Sequence, residues 1–124
     1  MKMYEVLDLQ TLYGSIANIK LPLKTTYKFA RLMKRIEIEL TFYQEKFREI
    51  VEEYGVKENG EYKFTADGSS IEIIAGKEME CNQKIMELRN LEVQIDDIKF
   101  SIEELDSLNV SIAELSCLMS LIED

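Results

Sequence analysis

The chain contains no histidine, a single proline, five glycines and two cysteines in 124 residues. Without histidine it lacks the commonest general base, triad partner and metal ligand. Few glycines leave no G-x-x-x-x-G-K-[ST] phosphate loop and no dinucleotide fingerprint. The segment "AGKE" at Ala75–Glu78 lacks both the upstream glycine and the hydroxyl residue. Cys81 and Cys117 have no metal or redox spacing and lie in apolar-periodic stretches, so they read as buried free thiols of a reducing compartment. The opening "MKMYEVLDLQ" has no apolar leader, and no apolar run reaches membrane length. Together these absences predict a cytosolic non-enzyme with no membrane contact, no cofactor, no metal and no catalytic residues.

Acidic charge is abundant: 24 Asp and Glu against 15 Lys and Arg, net −9. It is unevenly spread. Residues 1–36 carry seven cations against two acids, net +5; residues 37–91 seven against thirteen, net −6; residues 92–124 one against nine, net −8. This balance argues against direct nucleic-acid binding, which needs clustered cations. Asp96, Asp97, Glu103, Glu104 and Asp106 are the carboxylates available to a Mg²⁺ ion, and a solvated acidic edge explains them as well. Asp96 and Asp97 would point to opposite faces of a strand, which weakens a shared site.

Length and an apolar content of 46% fit one domain over residues 1–124. Leu9, Leu12, Tyr13, Ile16 and Ile19 predict a short helix capped by Asp8. The next segment, "LPLKTTYKFARLMKRIEIELTFYQEKFREIVEEYG" from Leu21 to Gly55, reads as one helix of about thirty residues, capped by Thr25 or Thr26 and stopped by Gly55. Phe29, Met33, Ile36, Leu40, Tyr43, Phe47, Ile50 and Tyr54 follow at steps of four and three, forming a helix-pairing seam. Asn59-Gly60 and Asp67-Gly68 are turn dipeptides, and the alternation around Tyr62, Phe64, Ile71 and Ile73 predicts a small β-hairpin near 61–75. A helix over about 76–90 turns Cys81, Ile85 and Leu88 inward, against the seam. "LEVQIDDIKFS" reads as extended. Ser101 with Glu104, and Ser111 with Glu114, are capping boxes that start a helical turn and a terminal helix. Ile112, Leu115, Met119 and Ile122 are the expected apolar face of that last helix, packed on the seam. The fold class is mainly α with a minor β addition: a helical hairpin or bundle.

About thirty residues make roughly 45 Å of helix, whereas a compact chain of this length has a diameter of about 35 Å. Either shorter helices lie end to end along the seam, or part of it pairs with another chain, so a homo-oligomer is expected. The back of the helix reads Lys24, Tyr27, Arg31, Lys34, Ile38, Phe42, Glu45, Glu49, Glu52. A solvent-facing back carries charge and little else. Here Tyr27, Arg31, Lys34, Ile38 and Phe42 form either a partner-binding stripe of aromatic and Arg anchors or the bed of a third helical layer.

The order of elements resembles a family of small uncharacterised proteins of tailed phages and prophages of Gram-positive bacteria. The likeness covers most of the chain. It is sharpest at Leu21-Pro22, Lys24–Lys28, Glu39–Arg48 and Glu52–Gly55. It implies a helical hairpin with small β additions and a place in the host bacterial cytoplasm, and it carries no activity. Three functions follow: a binding protein that docks on a host or phage protein complex, such as an inhibitor of a host defence complex; an acidic mimic that blocks a nucleic-acid-binding channel; or a virion structural or assembly adaptor.

Overall fold

The computed structural model describes residues 1–95 and 97–123. It is mainly helical. Helix α1 (Met3–Ile16) and the long helix α2 (Leu23–Tyr54) precede strands β1 (Lys57–Glu58) and β2 (Glu61–Tyr62). Helices α3 (Glu78–Arg89), α4 (Ile102–Leu105) and α5 (Ile112–Leu118) follow, and a 3-10 turn spans Met119–Leu121. The chain divides into two compact units, Met1–Thr41 with Glu92–Asp124, and Phe42–Leu91. Helix α2 contributes to both. One continuous helix thus supplies part of each unit.

In the first unit, α1 begins at Met3, well ahead of the predicted start after Asp8. The buried positions Met3, Val6, Leu9, Leu12 and Ile16 recur every three or four residues and carry the apolar stripe back to the beginning of the helix. Glu5, rather than Asp8, serves this end: its carboxylate accepts the Lys2 N–H at 3.0 Å, and Asp8 is exposed on the outer face. Helix α2 starts directly after Pro22, whose carbonyl accepts the Thr26 N–H at 3.0 Å. Neither predicted threonine caps it; Thr25 is buried in the first turn. Phe29, Leu32, Ile36 and Leu40 face the core, so Leu32 joins the seam read from the sequence.

On the stretch of chain after Glu92, Val93, Ile95, Ile98 and Phe100 are buried as well. Phe100 packs on Phe29 with ring centroids 4.5 Å apart and the ring planes tilted by 32°. The Lys28 ammonium lies 5.7 Å from the centre of the Phe100 ring. It donates to the Lys99 carbonyl at 2.8 Å and to Glu104 at 2.7 Å. Both capping boxes form: Ser101 and Ser111 each accept the N–H three residues on at 3.1 Å, and the glutamates answer at 3.0 Å.

Helix α5 lies closest to α1, where Ser15 donates to Glu114 at 2.9 Å. The expected terminal face is reversed. Ile112, Leu115 and Met119 are exposed, while Leu118 and Leu121 are sealed. Two bonds explain the rotation: Phe100 N–H to the Leu121 carbonyl and Glu123 N–H to the Phe100 carbonyl, both 2.7 Å. They pin the end of the turn to the extended segment and roll Leu118 and Leu121 into the core.

The second unit is built on the last turns of α2. Ile50 and Tyr54 pack with Cys81 and Leu88 of α3, flanked by half-buried Tyr43, Ile73 and Ile85. Phe47, a seam position by spacing, is 36% exposed. The true hairpin pairs β1 with β2 around Asn59-Gly60, both with positive φ (55° and 82°), one turn earlier than the predicted 61–75. Residues 64–73 add only isolated bridges, Phe64 with Ile71 and Gly55 with Ile73. Asp67 closes the second turn by accepting from Thr65 and Ser69, which lowers its pKa to about 2. Gly55 ends α2 for a different reason than a left-handed cap. A Cβ there would meet the Tyr62 ring at 3.1 Å and the Val51 carbonyl at 2.6 Å, so close approach selects glycine.

Candidate protein-docking surfaces

In the first unit the back of α2 lies open. Tyr27 is 62% and Ile38 71% exposed, and Arg31 and Lys34 are exposed beside them. Among the described residues no third layer covers these four. The Arg31 guanidinium sits 5.8 Å from the Tyr27 ring centre, a cation–π pairing that holds an aromatic plate and a cation together at the surface. Lys24, Arg31 and Lys34 have no ion-pair partner among the described residues, whereas Lys28 and Arg35 are taken by Glu104 and Asp97. Lys24 and Lys34 therefore stand on the outward face with Arg31, whose charge is also felt by Asp97, and the ion-paired cations lie at its margins.

Phe42, the fifth residue of the predicted stripe, belongs to the second unit. It edges a shallow cleft between α2 and α3, with the Lys46 ammonium 5.8 Å from its ring centre. Further along this half of the helix, acids are interleaved with cations: Lys46 pairs with Glu49 and Lys84 with Glu53. A run of carboxylates broken by ammonium groups is a poor imitation of a phosphate backbone.

Among the candidate carboxylates, Asp96 lies outside the described residues. Asp97 is bound by Arg35, whose hydrogen bond holds its carboxyl below the usual range. Glu104 is held low by Lys28 and then by the Ser101 N–H. Both are committed to cations.

Asp106 has a different neighbourhood. It is the polar residue lining a groove of about 440 Å³ whose other walls are Ile102, Leu105, Leu108, Val110, Leu115, Met119 and Ile122. Ile102 is 62% and Met119 60% exposed. The sequence carries one signal for this groove: Ile102, a large apolar residue, directly follows the capping Ser101 at the exposed first position of α4. Periodicity instead assigned Leu115, Met119 and Ile122 to the core.

No helix among the described residues is long and apolar enough to cross a membrane. No family model, curated protein or solved structure matches the chain.

Proposed function

We propose that this is a non-enzymatic phage or prophage protein that docks on a protein partner through the outer face of α2. We infer that it acts in the host bacterial cytoplasm by obstructing a host defence complex. The observation that supports docking is the uncovered set Tyr27, Arg31, Lys34 and Ile38 on a helix whose opposite face is buried. A helix that needs only one face for its core can spend the other on recognition. Aromatic and Arg side chains dominate binding hot spots because they bury much area with little rotamer loss. Phage origin rests on the resemblance in sequence; the reading as an inhibitor rests on the lack of a catalytic motif, the small size and the two-faced helix.

The test is affinity capture from host and from infected lysate, with wild type and Arg31→Glu run side by side. A protein held by the wild type and lost by the variant supports the reading. Capture of the same proteins by both removes the α2 face as the site. Capsid or tail proteins in the α2-dependent fraction would favour the virion adaptor instead.

A further inference from the structure

We propose that the apolar groove beside α5 receives the outer face of α2 from a second copy of the chain, head to tail. This rests on reading that face as a docking surface, and it names one partner for it. The groove is open and apolar with the carboxylate Asp106 in its lining, and exposed Glu103 and Glu123 directly follow the lining residues Ile102 and Ile122 in sequence. Lys99, the one cation of residues 92–124, is engaged with the Ser120 carbonyl at 2.9 Å. An occupant must therefore bring apolar side chains flanked by positive charge.

Two grooves facing each other would set acid against acid, which disfavours a two-fold groove-to-groove contact. The seam of α2 cannot serve either, because Phe29, Ile36 and Leu40 are buried within their own chain. The same unit carries a surface of the required kind: Tyr27 and Ile38 as anchors, with Lys24, Arg31 and Lys34 unpaired beside them. Groove and stripe are different patches, so their contact is heterologous and joins copies into an open chain or a closed ring.

Sedimentation velocity on the full chain, at rising concentration and at two salt levels, tests this. The expected mass climbs above the 14.5 kDa of one chain with concentration, and falls back at high salt as the charges are screened. Arg31→Glu and Met119→Glu change exposed residues, one in each half of the contact, and each variant alone should self-associate about thirtyfold more weakly. Mixing the two variants is decisive. The first keeps an intact groove and the second an intact stripe, so an equimolar mixture should recover a complex of two chains. Lys34→Glu with Ile102→Glu repeats the experiment at independent positions. Wild type at one-chain mass under all conditions, or a mixture that stays at one-chain mass, overturns the proposal. Loss of association in Met119→Glu alone, with Arg31→Glu unaffected, overturns it in favour of groove-to-groove pairing. Lysate capture through Arg31 is read separately, so the docking surface can stand where the groove fails.

Discussion

The two units exclude water by different means. In the first, Met3, Leu32, Ile36, Phe100, Leu118 and Leu121 are sealed from solvent and drawn from four separate stretches of chain. In the second, burial stops at Ile50, Tyr54, Cys81 and Leu88, and half-buried neighbours finish the packing. One continuous helix serves both, so helix propensity does not separate them; the partners brought to α2 do. Phe100 packs its ring tilted by 32° against Phe29 with a lysine over it, whereas α3 offers the second unit a narrow line of Cys81, Ile85 and Leu88. Cores with fewer buried apolar side chains open locally at lower free energy. The difference extends to the surface. The outer face of α2 in the first unit carries Lys24, Arg31 and Lys34 outside any ion pair among the described residues, with exposed Tyr27 and Ile38, while in the second it carries exposed Phe42 and the acids Glu45, Glu49 and Glu52, of which Glu49 pairs with Lys46.

The sharpest way to break this comparison is Phe100→Ala. Loss of the packed ring should destabilise the chain by about 3–5 kcal/mol in denaturant unfolding. A loss under about 1 kcal/mol would contradict a deep first core. Next comes Leu88→Ala, expected to cost about 2 kcal/mol and to raise hydrogen exchange in α3 while α1 stays protected. Equal deprotection of both helices would erase the distinction between the units.

A smaller effect should appear in acid. Lys28 holds the Glu104 carboxyl below its usual 4.5 in the folded chain. The folded state thus binds fewer protons than the unfolded one. That stabilisation is complete above about pH 4.5 and is lost as pH falls through the lower folded value. Lys28→Met should therefore flatten the decline of the denaturation midpoint below pH 4.5, and an unchanged slope would remove the ion pair from the account. The smallest change belongs to Phe47→Ala. Its partly exposed ring should cost no more than about 1 kcal/mol despite its seam spacing.

Local signals in the sequence specify the elements they border. The extent of α2, the span of α3 and both capping boxes depend on residues within a few positions of each other, and they formed where the spacing placed them. Features set by distant partners were not legible. Asp8 is a good cap by type, yet the stripe from Met3 to Ile16 needs the whole helix. Ile112, Leu115, Met119 and Ile122 have faultless helical periodicity. The backbone bonds of Phe100 to Leu121 and Glu123, some twenty residues away, decided which face turned inward. Leu32 was passed over because a strict four-three alternation leaves no room for a neighbour on the same broad inner face. Tyr27, Arg31, Lys34, Ile38 and Phe42 are exposed on one side of a continuous helix, and the division of units between Thr41 and Phe42 is a property of packing that spacing does not carry.

The central claim is that the outer face of α2 in the first unit is kept for a partner, and Ile38→Glu tests it most directly. Thermal stability and affinity for the partner captured through Arg31 are to be measured on the same protein. The account predicts a melting temperature within error of wild type, because Ile38 touches solvent rather than core, together with affinity weakened by about 2 kcal/mol. A lowered melting temperature with intact affinity would contradict it and return this face to the structure of the fold.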